Sequence, residues 1–374
     1  MSDTKYRVGL TLIPGIGPSR FSRLEQYFGD MEHAWNASAG ELEAAGMDPK
    51  AVRSIVHNRD SISLDVEMEK LDRHGISAVS IRDRSYPARL REIYDPPPVL
   101  YIKGQLSPDD EWLLAVVGTR RPTYYGREVT EAMVSDLARN RITIVSGLAK
   151  GIDAVAHRAA LQAGGRTVAV LGCGLDRVYP QEHIKLASEI SRHGALVSEQ
   201  PVGTPPRREN FPLRNRIMSG ISLGVLVIEA DQKSGARITA YRALEQGRDV
   251  FAVPGSILSP MSRLPNQLIR EGASLVTGAH DIMEELNLTM AVQHAEVKQL
   301  MPATETESAI LDILRNASPE PIHIDELRRH SNMPIAAVSS SLSLMELKGM
   351  VKQVGGMNYI IAREAKEMYR VKVE

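Results

Sequence analysis

The stretch TPPRRENFPLRNR (204–216) sets Arg207, Arg208, Arg214 and Arg216 around a single phenylalanine, Phe211. Guanidinium groups select phosphate through paired N–H donors. An aromatic ring among them offers a face on which a nucleic-acid base can stack, a contact of ~1–3 kcal/mol. The chain has only four Phe, so one held in a polar basic loop is an odd choice for core filling. The plainer alternative is a hydrophobic staple that locks the loop. Pro212 suits the first turn of a helix, which puts Phe211 just ahead of that helix, in the heptad with Asn210, Arg214 and Asn215. Arg214 and Arg216 lie two apart, so on a helix they point to different sides. One is expected to face a ligand and the other to make a buried salt bridge, to Glu199 or to Glu229.

A second group of residues recurs where apolar runs end: LLAVVGTRRP, ITIVSGLAKGID, TVAVLGCGLD, LGVLVIEADQKSG and DVFAVPGS. In a parallel α/β sheet such loops all emerge at the carboxyl edge, where ligands of that architecture bind. The edge gathers Arg120, Arg121, Lys150, Lys233 and Arg237. In Gly118-Thr119-Arg120 the glycine lets backbone approach a ligand while Thr119 and Arg120 reach for phosphate. Ser146-Gly147-Leu148-Ala149-Lys150-Gly151 runs into a helix at 152–163, whose free N–H groups form an anion site to which Ser146 and Lys150 add. Ser234-Gly235 opens a further helix in the same way, with Thr239 on its first turns. The spacing is neither GxGxxG nor GxxxxGK[ST], so no motif supports dinucleotide binding or ATP hydrolysis. Asp153 and His157, four apart on one helix face, have the spacing of an acid–base or metal pair. With no further ligands at hand, the favoured reading has Asp153 holding loop amides and His157 packed beneath them. Glu229, at a strand end, is either a catalytic carboxylate or the group that orients Arg216. The set as a whole points to nucleic acid read mostly through its backbone, with no catalytic residue, metal or cofactor called for.

These loops need a rigid frame, and the segments between them supply one. Strands are expected near 113–118, 142–146, 167–171, 195–199, 223–229, 249–253 and 274–276, with helices between. Unbroken apolar runs such as Thr167-Val168-Ala169-Val170-Leu171 read as strands buried on both faces. The pattern over 113–287 is a doubly wound parallel sheet of Rossmann-like type. Residues 1–65 read as short helices with glycine breaks. The turn Ile13-Pro14-Gly15-Ile16-Gly17 precedes a helix that Ser19 is placed to cap, an order similar to helix-hairpin-helix modules, with a plain packing domain as the alternative. Residues 66–112 read as a connector that includes a short αβ piece, VEMEKLDRHGISAVSIRD, and the extended stretch Pro96-Pro97-Pro98. Residues 288–304 read as a linker, and 305–374 as three amphipathic helices and a hairpin, the winged-helix order. The third of these helices offers serines at 339, 340, 341 and 343 and only Lys348 near its end, which favours contact with protein over contact with duplex.

At 374 residues the chain has room for two or three domains. A net charge of −1 leaves binding to a polyanion to a local patch. One cysteine, Cys173, excludes an intramolecular disulfide and a multi-cysteine metal site and fits a reducing cytoplasm. Neither a signal peptide nor a membrane-spanning run is legible.

The segments VGTRRPTYYG, SGLAKGIDAVAH, TVAVLGCGLDRVYPQEH, LVSEQPVGTPPRRENFPLRNRIMSGIS, SGARITAYRALEQGRDVFAVPGS and NQLIREGASLVTGAHDI, in this order, resemble the DprA/Smf family over essentially all of 90–287. The resemblance implies an extended Rossmann-like core flanked by an N-terminal helical domain (SAM or helix-hairpin-helix-like) and a C-terminal winged helix. It implies sequence-independent binding of single-stranded DNA, homodimerisation, and delivery of the recombinase RecA onto incoming strands in natural transformation, without catalysis. By that likeness Arg120 contacts phosphate, Arg208 belongs to a basic pocket and Phe211 contacts a base. Gly118, Thr119, Ser146, Gly147, Lys150, Asn210, Arg214, Asn215 and Arg237 complete the expected DNA-binding set. The chain departs from the family pattern at Arg237, which adds charge at a helix start. It departs again at Leu264-Pro265, expected to stiffen a loop ahead of a helix at 266–272 on a dimer or RecA surface. The competing class is a nucleotide-cleaving enzyme that releases bases from nucleoside monophosphates. It needs a PGGxGT-type phosphate loop, and the corresponding segment here reads ADQKSGARIT.

Overall fold

The computed structural model describes residues 2–107, 110, 112–288, 304–317, 320–347 and 350–361. It divides into two compact units, Met1–Ile282 and Met283–Glu374. Of the expected linker 288–304 only Leu288 and Thr304 lie among the described residues, and Lys348 lies outside them.

The larger unit is built on strands β1 (Ile76–Ser80), β2 (Val99–Gly104), β3 (Leu113–Val117), β4 (Thr143–Ser146), β5 (Thr167–Val170), β6 (Ala195–Ser198), β7 (Gly224–Val227), β8 (Asp249–Ala252) and β9 (Ser274–Leu275). They form one sheet in the order β1-β2-β6-β5-β4-β3-β7-β8-β9. Strands β3 to β9 run parallel to one another. Every residue of β3, β4, β5, β6 and β7 is buried, which is why these segments are apolar without alternation. From β3 the chain winds outward to β6, then returns to place β7 on the other side of β3. The strand order therefore reverses between β3 and β7. Helices diverge there, and a crevice opens at the carboxyl edge.

The segment 66–112 does more than connect. It supplies β1 and β2, which extend the sheet antiparallel beyond β6. The helix Leu64–Arg73 and β1 make up the expected αβ piece, whereas three prolines directly ahead of β2 masked that strand in the sequence. The N-terminal helices Ser2–Leu12, Pro18–Phe28, Met31–Asn36, Ala39–Ala44 and Pro49–Arg59 enclose a core of Leu10, Phe21, Leu24, Met31 and Ile55. Thr11 Oγ1 meets Tyr101 Oη of β2 at 2.7 Å, tying these helices to the sheet within the same unit. Gly15 takes φ +85°, a conformation open to glycine. Gly17 is the N-cap of the helix Pro18–Phe28, the position expected of Ser19, because Pro18 occupies the first helical position.

In the smaller unit the helices Glu305–Ala317, Ile324–Ser331 and Ile335–Leu347 pack with β10 (Ile322–His323), β11 (Val351–Gln353) and β12 (Asn358–Ile361), in the sheet order β10-β12-β11. This is a winged helix, with β10 added to the expected hairpin. Its core is Ile310, Leu314, Leu327, Val338, Leu342 and Met345. The outer face of the third helix shows Ser339, Ser340, Ser343 and Leu344. Among the described residues no helix is long and apolar enough to cross a membrane.

The helix Ile152–Gln162 packs on the sheet through a fully buried His157. Thr167 Oγ1 donates to the Ile144 carbonyl at 2.8 Å, so its lone pair accepts from His157 Nδ1 at 2.7 Å. Burial, reinforced by the charges of His183 and Arg214, holds the imidazole neutral and pulls its pKa down to about 3. Below an unfolded value of about 6.5 the unfolded chain takes up a proton that the folded chain refuses. The stability from neutral His157 is therefore complete above that pH and is lost as pH falls toward 3, by up to about 1.4 kcal/mol per unit. Urea midpoints measured from pH 7 to pH 4.5 are expected to fall more steeply for the wild type than for His157→Gln. Parallel curves would show that this histidine is protonated in the fold.

Candidate nucleic-acid interface

Three loops meet at the strand-order reversal, and glycines let them meet. A Cβ on Gly118 would stand 2.5 Å from Ile152 Cγ1 and 2.9 Å from the Glu229 carbonyl oxygen. One on Gly151, at φ +82°, would stand 2.3 Å from the Thr119 carbonyl oxygen. Backbone bonds join the same loops: Thr119 N–H donates to Glu229 O at 2.6 Å and Ile152 N–H to Thr119 O at 3.1 Å. Arg120 thus projects from a backbone fixed on both sides. The Glu229 side chain is buried and neither faces a ligand nor touches Arg216. Its two oxygens accept from Thr123 N–H at 2.9 Å and Thr123 Oγ1 at 2.6 Å, anchoring the start of the helix Tyr124–Arg139.

The helix Asn210–Ile221 carries the arginine pair, and the two side chains do go to different sides. Arg216 is buried against Glu199 at 2.5 Å and Asp95 at 3.3 Å. Arg214 runs beneath the cleft, where its Nη1 donates to the Val170 carbonyl at the end of β5. Gly147 makes room for it, since a Cβ there would fall 2.0 Å from Arg214 Nη1. Asp153 accepts from Gly147 N–H at 3.1 Å and Ala149 N–H at 3.3 Å, the loop-holding role expected of it. Burial raises the Asp153 pKa against the opposing pull of Arg214, and burial lowers that of Arg214.

Above this floor lies a cleft of about 740 Å³ at the β3–β7 crevice. Thr119 and Arg120 line it from the β3 loop, and Lys233 and Ser234 from the β7 loop. Arg208, Phe211, Arg214 and Asn215 close it from the basic loop and its helix. The Phe211 ring is half-buried, 6.0 Å from the Arg214 guanidinium carbon and 5.7 Å from the ring of Tyr179. Tyr179, 47% exposed, also lines the cleft and was missed in the sequence reading. Its signal was available: a tyrosine beside proline just beyond an apolar strand, in the same edge set. Among the described residues Arg120, Arg208 and Lys233 make no ion pair, whereas Arg139, Arg166, Arg177 and Arg242 all do.

Other expected residues sit elsewhere. Ser146 is fully buried and donates to the Val116 carbonyl at 2.7 Å, joining β4 to β3. Asn210 is buried and donates to the Gly172 carbonyl at 3.1 Å. Lys150 pairs with Glu182 at 2.5 Å on the surface. Arg237 stands outside the cleft, over the ring of Tyr241. Leu264 and Pro265 lie buried inside the helix Arg263–Arg270 rather than in a loop ahead of a helix, so they do not stiffen a loop. Leu264 N–H donates to the Ala230 carbonyl at 3.1 Å.

Residues 77–287 match the family model described as DNA recombination-mediator protein A, and residues 294–357 match the DprA winged helix domain. Protein Smf of Escherichia coli (strain K12) is 36% identical over 379 residues, covering 100% of both chains. The X-ray structure of DNA processing protein A from Streptococcus pneumoniae superposes with a TM-score of 0.68 at 38% identity, over 75% of this chain and 98% of that one. DNA processing protein A from Helicobacter pylori, whose single-stranded DNA binding mode has been studied structurally, matches with a TM-score of 0.51 at 30% identity, over 56% of this chain and 95% of that one.

The contact between Gly147 and Arg214 yields a direct test. Gly147→Ala is expected to displace the guanidinium and to lower unfolding stability by about 1–3 kcal/mol, the cost of overpacking a tight site. Urea denaturation measures it, and an unchanged midpoint would show that Arg214 yields without loss.

Proposed function

This chain belongs to the DNA recombination-mediator protein A family, the DprA/Smf proteins, and on that premise we propose that it binds single-stranded DNA without sequence preference in the cleft between β3 and β7. The observation that carries the proposal is the pairing of cations without ion-pair partners, Arg120, Arg208 and Lys233, with two adjacent aromatic rings, Phe211 and Tyr179. Phosphates take the cations, and bases stack on rings that accept any base. In a duplex the base faces are already stacked, so the rings favour a single strand. Base-edge readout has little support, because Asn215, the cleft's amide, donates to the Gly235 carbonyl at 3.4 Å. The binding mode studied in the Helicobacter pylori relative supports the same class of ligand.

The protein acts by binding rather than by catalysis in this proposal. It forms a homodimer in the cytoplasm, holds incoming strands during transformation and recombination, and delivers RecA onto them. These finer parts rest on the family alone.

Anisotropy of labelled oligo-dT against duplex of equal length, over a salt series, tests the reading. The strand is expected to bind more tightly than the duplex and to weaken steeply with salt. Phe211→Ala should weaken strand binding about 5- to 100-fold, the loss of one stacked base. Arg120→Ala should flatten the slope of log K against log salt by about 0.7, the loss of one phosphate contact. Absence of strand binding at low salt would sink the proposal.

A further inference from the structure

A second depression, of about 710 Å³, opens beside the cleft along the helix Gly235–Glu245. The two are continuous: Lys233, Ser234, Gly235 and Ile238 line both. Ile238, 40% exposed, forms an apolar saddle between them. Arg237, the residue before Ile238, lines the second depression and not the cleft, its guanidinium carbon 4.8 Å from the centroid of the Tyr241 ring. The ring supports the guanidinium from one face and its hydroxyl engages one N–H donor, leaving the other donors of this exposed side chain for a ligand.

The acids nearby are engaged with other groups. Glu245 pairs with Arg242 at 2.7 Å. Glu271 accepts from Tyr241 Oη at 2.6 Å and from Gln267 Nε2 at 2.7 Å. Among the described residues neither Lys233 nor Arg237 makes an ion pair. The groove thus has two available cations, an apolar step and an aromatic ring in sequence, which repeats in shallower form the chemistry of the cleft.

We infer that a bound single strand does not end in the cleft but leaves it over Ile238 and continues along the helix Gly235–Glu245, with Lys233 and Arg237 holding successive phosphates. This rests on the single-strand reading of the cleft. It assigns to Arg237 a role separate from the pocket that holds Phe211: Arg237 extends the length of strand engaged.

The test compares labelled dT6 and dT12 on the full chain by anisotropy across a salt series. The wild type is expected to gain affinity from dT6 to dT12. Arg237→Ala should erase most of that gain, about 3- to 10-fold, and lower the salt slope on dT12 by about 0.7, one single-strand phosphate contact. Arg237→Lys, which keeps the charge, should keep the slope. Arg237 is exposed, so neither variant threatens the fold. If Arg237→Ala binds dT12 with the wild-type affinity and slope, the strand does not run along this helix and the inference falls while the cleft reading stands. If the wild type binds neither oligonucleotide, both fall together.

Discussion

The carboxyl edge of this sheet depends on how closely three loops approach at the point where the strand order reverses. Side chains at 118, 147 and 151 would overlap Ile152, the Arg214 guanidinium and the Thr119 carbonyl respectively. Glycine at these positions costs backbone entropy in the unfolded chain. In return the backbone of Thr119, one residue before Arg120, is hydrogen-bonded to the Glu229 and Ile152 loops before any ligand arrives. The same closeness brings Arg214 under the cleft, where a longer residue at 147 would exclude it. Preorganised donors of this kind lose little freedom on binding.

The arginines divide into two populations, and the division explains what the edge can do. Arg216 and Arg7 are buried and held by carboxylates, Glu199 and Asp95 for the first, Asp3 and Glu25 for the second. Removing the partner of such a charge is costly, so these residues define the fold. Among the described residues Arg120, Arg208 and Lys233 pair with no acid, and they stand around one cavity. A cation already in a salt bridge must break it to take a phosphate, and one without a partner need not. Lys150 shows the contrast. It sits on the expected loop, yet Glu182 occupies it at 2.5 Å.

Much of this was legible in the sequence, for physical reasons. Strands buried on both faces are apolar throughout, so seven strands of the core were read within a residue or two of their ends. The split between Arg214 and Arg216 followed from helical spacing, and Glu199 was one of the two partners named. What escaped depends on contacts distant in sequence. Nothing local distinguishes Ser146, which joins two strands, from a serine that meets phosphate. Glu229 looked available because Thr123, which takes both its oxygens, lies 106 residues earlier. The strand β2 pairs antiparallel with β1 and β6 at one end of the sheet, outside the alternation of strand and helix that marked the rest. Pro265 read as a loop residue, although proline fits the first turn of a helix as well as it fits a loop.

A chain with net charge −1 cannot draw in a polyanion by its overall field. Its cations must therefore be concentrated where they act. The N-terminal glycine turn follows that rule: Arg20, the cation nearest it, donates to the Gly15 carbonyl and pairs with Asp48 at 2.5 Å. The third helix of the winged unit follows it too, with serines and a leucine on its outer face and no basic side chain between Ile335 and Leu347. On the proposed reading, phosphate attraction centres on the β3–β7 edge, where Arg120, Arg208 and Lys233 surround one cleft. Because phosphates repeat at even spacing along a strand, a site that held them through separate cations would gain affinity with each one added, and on the proposed single-strand reading the rings of Phe211 and Tyr179 would discriminate against paired bases rather than among unpaired ones. Strand length and strandedness, more than sequence, are the properties such an edge can measure.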